Sequence, residues 1–302
     1  MKKIHFAALL MFLSFVEASA QQDPNYTQYM YNMSAINPAY AGSKENMTGG
    51  LLFRRQWVGL DGAPVTNTVS LNTPLNESNL GLGVSIINDE IGPTTENTIS
   101  ADLSYTIPTS DTWNLSFGIK ATANLFDLDA TKLDNVVPDP SLQNYTSFSP
   151  NIGAGLYWHS DNAYLGFSIP NFLETQRYDD NQVKIFKERM SYYLIGGYVF
   201  DLNDTVKFKP AFLTKLIEGA PLQVDVSGNF MFFDKFMLGV SYRWSAALSA
   251  MVGFQVSDGL YVGYGYDRET TNLNNYNSGS HEIFLRYEIF KNNDRITTPR
   301  FF

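Results

Sequence analysis

Apolar residues alternate with polar or small residues through four successive runs between Pro221 and Asp267. Because successive side chains of a β-strand point to opposite faces, this period gives each run one apolar face and one polar face. Short turn sequences separate the runs, at Phe233–Lys235, Ser245–Ala246 and Ser257–Gly259. Each run has about ten residues, which is the length of a tilted transmembrane strand rather than of the usual soluble strand. The stretch therefore predicts four adjacent strands of a membrane β-barrel.

The same alternation recurs along most of the chain. It predicts an all-β, transmembrane antiparallel barrel of about 14 strands, an even number as in bacterial single-chain barrels. A soluble β-sandwich or propeller is the alternative, but its strands would be shorter, and a propeller needs a repeat of about 40 to 50 residues that this sequence lacks. The predicted strands are Met47–Trp57, Val65–Thr73, Leu80–Asn88, Asn97–Ile107, Trp113–Leu125, Ser149–His159, Ala163–Ile169, Arg189–Asp201, Val206–Ile217, Leu222–Phe232, Phe236–Trp244, Leu248–Val256, Leu260–Tyr266 and Glu282–Phe290.

The predicted connections differ in length with a regular parity. Those after even-numbered strands are short, whereas three of the others are long: Phe126–Phe148, Pro170–Glu188 and Thr270–Ser280. Outer-membrane barrels have short periplasmic turns and longer extracellular loops. The parity therefore predicts that the three long loops are extracellular and that both termini are periplasmic.

Charged residues fall mostly on the polar strand faces. We expect these faces to line the lumen, because a lipid-facing Arg or Lys near the bilayer midplane costs about 2–4 kcal/mol. Both signs occur, so the sequence favours ion pairs inside the lumen over a uniformly charged filter. The facing of the strand with Lys207, Lys209 and Lys215 stays open, because Ala211 and Leu213 interrupt its polar face. The other charges on polar faces are Asp102, Lys120, Asp225, Arg243, Asp267, Glu282, Arg286 and Glu288.

The first twenty residues have the three parts of a secretory signal peptide. Lys2 and Lys3 precede the apolar run Ile4–Val16, and Ala18–Ala20 supplies small residues for a cleavage site. The apolar run is too short to span a membrane comfortably as an anchor. Residues 1–20 are therefore predicted to be removed during export, with cleavage after Ala20.

Residues 21–46 form a separate segment without a strand period. Disordered segments are usually poor in aromatic residues, whereas this one is rich in them, and its Asp23-Pro24 and Asn37-Pro38 steps favour bends. We predict that it is ordered and plugs the lumen or caps the periplasmic mouth of a barrel spanning residues 47–290, with a periplasmic tail at 291–302. Its large side chains are Tyr26, Tyr29, Met30, Tyr31 and Tyr40.

Composition and charge narrow the functional classes. A net charge of −9 argues against nucleic-acid binding, and zero cysteines leave no disulfide and no thiolate metal site. After the signal peptide only His159 and His281 remain, on different predicted strands and without a neighbouring acidic ligand pair. No metal site, cofactor or catalytic triad is therefore predicted, although a pairing through space stays open. The aromatic content of 15% is high and is typical of the girdles at membrane interfaces.

Several sequence motifs point to one family. They are DPNYTQYMYN, INPAYAGS, RRQWVGLDGAP, TNTVSLNTPL and GLGVSIINDEIG, and the likeness continues through the glycine-rich strands to the terminal TPRFF. With these motifs the chain resembles the PorP/SprF family of the Bacteroidota type IX secretion system. The motif residues that carry the resemblance are Asp23, Pro24, Tyr29, Asn37, Pro38, Tyr40, Gly42, Gln56, Trp57, Gly62 and Pro64.

The resemblance implies an outer-membrane protein whose partner is a secreted type IX substrate, in many members a large cell-surface adhesin of the gliding-motility type. Some members instead work with other type IX secretion components, as core machinery coupled to the periplasmic ring. The family brings no catalytic residue and no cofactor, and outer-membrane lipid is the remaining implied partner. The other function left open is a FadL-like or porin-like solute transporter. An open water path through the lumen favours transport, whereas a filled lumen favours an anchor.

Aromatic residues in or beside the three long loops are candidate contacts for a protein partner. Large aromatic side chains tend to dominate interface energies. The alternative is that these rings belong to the membrane-interface girdle. The candidates are Tyr145, Phe148, Phe172, Tyr178 and Tyr276.

Overall fold

The computed structural model describes residues 24–44, 46–75, 79–132, 143–174, 176–178, 184–187 and 189–289, which form an antiparallel β-sheet with very little helix. No helix in these ranges is long and apolar enough to cross a membrane. The helical turns are α1 (Met33–Ile36) and the 3₁₀ turns Pro38–Tyr40, Ala130–Lys132 and Asn272–Asn275. The strands are β1 (Met47–Arg55), β2 (Val65–Leu75), β3 (Leu80–Ile91), β4 (Thr94–Pro108), β5 (Asn114–Leu128), β6 (Tyr145–His159), β7 (Ala163–Ile169), β8 (Gln176–Tyr178), β9 (Lys184–Lys187), β10 (Ser191–Tyr198), β11 (Phe200–Asn203), β12 (Val206–Ile217), β13 (Gln223–Phe232), β14 (Phe236–Arg243), β15 (Ala247–Gln255), β16 (Leu260–Glu269) and β17 (Ser280–Ile289).

The strands pair in chain order and close into a barrel. Pairing runs from β1 to β7, continues through β10, and then runs from β12 to β17. The circuit is completed where β17 pairs with β1 and where β10 pairs with β12. Since β11 continues the line of β10 after Val199, the described residues form a closed antiparallel barrel of 14 strands. The predicted fold class is confirmed.

The period-two pattern divides the side chains between the two faces of the barrel wall. In β13 the outward-facing Val226 is 48% exposed, whereas the inward-facing Ser227 is 8% exposed. Outward positions elsewhere are mainly large apolar residues, and buried inward positions are rich in Ser, Thr, Asn and charged residues. This distribution is the one expected of a wall with lipid on one side and a polar lumen on the other.

Two long strands, β3 and β4, extend into a region where the sequence predicts a loop. The sequence suggests a connection between Asn88 and Asn97, but β3 continues to Ile91 and β4 begins at Thr94, so the connection is a tight turn. The polar residues that suggest a loop pair across the two strands instead. Asn88 Nδ2 donates to Asn97 Oδ1 at 3.0 Å.

Other predicted boundaries are also wrong. β6 begins at Tyr145 rather than Ser149, so Phe148 lies in a strand and not in a loop. The predicted strand Arg189–Asp201 is interrupted at Val199, and the predicted loop Pro170–Glu188 contains the separate hairpin of β8 and β9.

The two rims of the barrel differ as the parity predicts. One, the short-turn rim, has connections such as 109–113 and 160–162, and the other, the long-loop rim, includes 129–144 and 270–279. β1 begins and β17 ends at the short-turn rim. That this rim is periplasmic stays a prediction. The predicted signal peptide at 1–20, the residues Gln21–Asp23, Phe290 and the predicted tail at 291–302 lie outside the described residues.

Candidate functional site: the lumen and the long-loop rim

Residues 24–44, here called the lumen segment, run along the inside of the barrel. Near the long-loop rim the Thr27 and Gln28 amides donate to the Glu282 carboxylate at 2.9 and 2.8 Å. Halfway along, Ser34 Oγ accepts a hydrogen bond from Asn72 at 2.7 Å. At the short-turn rim Lys44 Nζ pairs with Glu288 at 2.6 Å. The segment therefore extends from one end of the lumen to the other instead of lying across the short-turn mouth alone.

A buried group of charges holds the part of the lumen segment that lies near the long-loop rim. Arg54 of β1 contacts Asp267 of β16 at 2.6 Å and Glu282 of β17 at 3.3 Å, and all three side chains are almost completely buried. The Thr27 hydroxyl donates to Asp267 and accepts from Arg54 Nη1 at 2.5 Å. Each charge is thus paired and hydrogen-bonded, as burial of a charge requires. The Arg54 cluster, consisting of Arg54, Asp267, Glu282 and Thr27, joins the segment to three strands.

Aromatic side chains of the lumen segment pack against the barrel wall next to the Arg54 cluster. The Tyr31 ring lies 5.3 Å from the Tyr261 ring and 5.4 Å from the Phe284 ring. The Arg286 guanidinium lies 5.0 Å from the Tyr261 ring centre, a cation–π distance. Three strands away from Tyr261, on β13, Tyr29 Oη shares a hydrogen bond of 3.0 Å with Ser227. The lumen segment thus contacts several strands of the wall through rings as well as through hydrogen bonds.

Glycines let the backbone of the lumen segment approach the barrel wall. Gly118 of β5 lies directly against the backbone of Pro38 and Ala39, and Gly155 of β6 lies against the Asn37 amide. A Cβ atom at either glycine would overlap these atoms. Asn37 is held further by its Nδ2, which donates to the Leu156 carbonyl at 2.9 Å. These glycines in the strands serve close packing.

We expect Gly118→Val to displace the lumen segment, because the new side chain needs the space that Pro38 and Ala39 occupy. Overpacking of this kind costs about 1–3 kcal/mol. The expected result is a lower midpoint of the heat-induced gel shift of the folded barrel, together with a larger conductance in planar bilayers. Gly49→Val is the matched control, since Gly49 faces outward and its nearest backbone neighbour is 3.9 Å away. That the lumen segment closes the lumen stays a prediction. Equal stability and equal conductance of the two variants would contradict it.

The inward-facing charges form pairs, as the mixed signs suggest. Lys120 lies 3.4 Å from Asp102 and donates to the Ser34 carbonyl at 2.9 Å. Arg243 pairs with Asp225 at 2.7 Å. The sequence leaves the facing of the three β12 lysines open. Lys209 and Lys215 face inward and are buried, and Lys207, on the same side of the strand, pairs with Asp234 near the rim.

A cavity of about 120 Å³ lies in the lumen beside the first residues of the lumen segment. Its walls come from strand ends near the long-loop rim. Carboxylates of Asp89 and Glu96 lie on one side, and Lys215 and Arg243 lie on the other. The space is therefore polar and contains both signs of charge.

The motif residues of the family resemblance are concentrated in two places. Pro24, Tyr29, Asn37, Pro38, Tyr40 and Gly42 belong to the lumen segment, and Gln56, Trp57, Gly62 and Pro64 belong to the connection from β1 to β2. Gly42 has φ of +66° and lies against Gly81, so a side chain there would be both strained and obstructed. Trp57 Nε1 donates to Glu269 at 2.9 Å. Asp23 lies outside the described residues.

The candidate aromatic contacts do not form one patch. Phe148 is exposed on the outer face of β6, and Tyr145 is half-buried on its inner face. Tyr276 is exposed in the connection from β16 to β17, several strands away, while Phe172 is half-buried and its amide donates to the Ile152 carbonyl at 2.8 Å. Tyr178 lies in β8. Their role as partner contacts stays a prediction.

Arg54 and Thr27 lie in the motifs RRQWVGLDGAP and DPNYTQYMYN, but their role in a buried charge cluster was not predicted from the sequence. Arg54 itself could have indicated the cluster. It shares the inner face of β1 with Leu52, and a buried arginine needs an anionic partner. Its two partners are more than two hundred residues away in the chain, so sequence spacing could not identify them.

Comparisons with known proteins agree with this architecture. A family model described as "Type IX secretion system membrane protein PorP/SprF" matches residues 18–287. The CymD monoaromatic hydrocarbon channel is similar in structure, with 13% identity, a TM-score of 0.52 and coverage of 87% of this chain and 93% of that chain. The Ralstonia pickettii toluene transporter TbuX gives 10% identity, a TM-score of 0.52 and coverage of 86% and 92%. Comparison with curated proteins finds no match.

The family match and the structural likeness carry different information. At identities this low the two transporters show a shared barrel fold and nothing about cargo. The family model covers the lumen segment and nearly the whole barrel, including both places where the motif residues lie. The chain is a β-barrel of the outer membrane and belongs to the PorP/SprF family of type IX secretion system membrane proteins.

Proposed function

We propose that this barrel retains a large surface protein, exported by the type IX system, at the outer membrane. The proposal follows from family membership, since a secretion-system membrane protein associates with secretion components or their substrates. An adhesin of the gliding-motility type is the substrate that the family resemblance favours. The signal peptide at residues 1–20 would direct the chain across the inner membrane first.

The observation that carries the proposal is the occupancy of the lumen. The lumen segment contacts the wall at both rims and at mid-depth, and its side chains Thr27, Tyr29 and Asn37 are nearly completely buried. Such packing supports an anchor over a wide solute channel. The long-loop rim then supplies the surface for a partner, because it carries the long connections 129–144 and 270–279.

Deletion of the gene tests the proposal. We expect one large surface protein to disappear from the cell surface and to accumulate in the medium, while other type IX cargo is exported at the parental level. Quantitative mass spectrometry of surface-labelled cells and of culture medium measures both, and re-expression of the gene is the control. If all type IX cargo fails together, the protein is core machinery. If only uptake of a small solute fails, the transporter function replaces the anchor.

A further inference from the structure

Strands β4 to β6 are longer than the strands that follow them. β4, β5 and β6 have 15 residues each, whereas β7 has 7 and β10 has 8. β6 pairs with β5 over its whole length, but with β7 only over Ala154–His159. Among the described residues, the first nine of β6, Tyr145–Gly153, therefore pair with a strand on one side and with none on the other.

The backbone of this edge has a defined direction. The backbone N–H and C=O groups of Ile152 point away from β5. Its carbonyl accepts from the Phe172 amide at 2.8 Å, and its amide donates to Asn151 Oδ1 at 2.9 Å. Alternate residues of a strand repeat this direction, so Pro150, Phe148 and Thr146 point the same way. Pro150 has no N–H to offer. Within the described part of the chain, no hydrogen bond reaches the edge-side N–H and C=O groups of Phe148 and Thr146.

Polar side chains on the outer face show that the edge stands above the lipid. Asn67 donates to Asn88 at 3.2 Å and Asn88 donates to Asn97 at 3.0 Å, forming a ladder across β2, β3 and β4. On the next two strands Thr146 donates to Asp127 at 2.8 Å. An outward-facing row of this kind does not belong in hydrocarbon. The ends of β3 to β6 thus project into water at the long-loop rim.

This projection is acidic. We call residues 88–97, 124–132 and 143–150 the β3–β6 tip; it contains five carboxylates and one lysine. Asp89 and Glu96 face the lumen, so the rest of the tip carries three carboxylates and one lysine, a net charge of −2. Hydrogen bonds from the Thr131 hydroxyl and amide lower the pKa of the Asp129 carboxyl, so this residue stays ionised at neutral pH. The charged residues are Asp89, Glu90, Glu96, Asp127, Asp129 and Lys132.

We propose that the β3–β6 tip binds an extended, Lys- or Arg-bearing segment of the retained surface protein by strand addition to β6. An unpaired edge supplies backbone hydrogen bonds, and side chains on alternate positions supply selectivity. Phe148, which is 62% exposed beside the edge, offers an apolar contact, and the acidic tip attracts the basic residues. The proposal rests on the proposed function, since it names how the partner is held.

Binding in solution tests the edge directly. The probe is a fluorescein-labelled ten-residue peptide of alternating Lys and Val, and its control is the same peptide with every second backbone amide methylated. Fluorescence anisotropy with the purified, detergent-solubilised protein should show binding of the first peptide, and the methylated peptide should bind at least about tenfold more weakly because its edge donors are gone. Equal binding of the two peptides would reduce the interaction to charge alone and overturn strand addition.

Variants of the edge give a second, independent arm. Phe148→Pro removes the edge N–H but none of the groups that pair with β5, so we expect weakening of at least about tenfold. Phe148→Ala keeps the N–H and loses only the apolar contact of the ring, so it should bind the peptide more tightly than Phe148→Pro does. The heat-induced gel shift establishes that each variant is folded. If Phe148→Pro binds the unmethylated peptide as well as Phe148→Ala does, the edge is not the site.

Cells separate this proposal from the function on which it rests. With Phe148→Pro the surface protein should be released as it is in the gene deletion, whereas with Phe148→Ala it should stay on cells. If the deletion releases the protein but Phe148→Pro retains it, strand addition at β6 is wrong and the anchoring function stands. If the deletion itself retains the protein, the anchoring function fails, and the peptide measurements alone decide the edge.

Discussion

Arg54→Met should destabilise the folded barrel by about 3–5 kcal/mol, the usual cost of removing one partner from a buried charge group. The substitution leaves the carboxylates of Asp267 and Glu282 buried side by side without their cation. It also removes the hydrogen bond from Arg54 Nη1 to the Thr27 hydroxyl. We expect a much lower midpoint in the heat-induced gel shift. We also expect the lumen segment to detach near the long-loop rim, which would be detected as faster proteolysis near Thr27.

Two variants make the Arg54 measurement specific. Arg55→Met changes the adjacent residue, which is exposed on the outer side of β1, and should leave the midpoint nearly unchanged. Adding Asp267→Asn and Glu282→Gln to Arg54→Met removes the buried uncompensated charges and should recover part of the lost stability, because an unpaired buried charge is the costly element. An Arg54→Met protein as stable as the Arg55→Met protein would show that the Arg54 cluster does not hold the fold.

The facing of residues could be predicted from sequence because it depends on a local property. In β13 to β16 the alternation of large apolar and small or polar residues indicates which side of each strand meets lipid. The assignment of Val226 and Ser227 to opposite faces needed no knowledge of other strands. The same alternation, followed along the whole chain, predicts the number of strands and a closed barrel.

Strand length was less predictable for a physical reason. The apolar pattern reports the thickness of the lipid band and not the length of the strand. Above the band the outer face of β3 and β4 becomes polar on both sides of the turn, with Asn88 and Asn97, and such residues look like a loop in the sequence. The β3–β6 tip was therefore missed, together with the unpaired edge of β6.

The contacts of the lumen segment could be expected only in outline. Its aromatic richness and its X-Pro steps indicated an ordered segment without regular structure. Its partners depend on the register around the closed barrel, which brings β1, β16 and β17 side by side although β1 is far from the other two in the chain. No local pattern could assign Thr27 to the Arg54 cluster.

Val240→Arg should prevent most of the protein from reaching its folded, membrane-inserted form. Val240 lies in the middle of β14 on the outer face and is 61% exposed, so an arginine there faces hydrocarbon at a cost of about 2–4 kcal/mol. Leu222→Arg is the control, because Leu222 is similarly exposed but precedes β13 at the long-loop rim, where the same charge costs about 0–1 kcal/mol. The heat-resistant fraction in outer-membrane preparations measures insertion. If the two arginine variants insert equally well, the middle of β14 does not face lipid and the membrane position of the barrel is wrong.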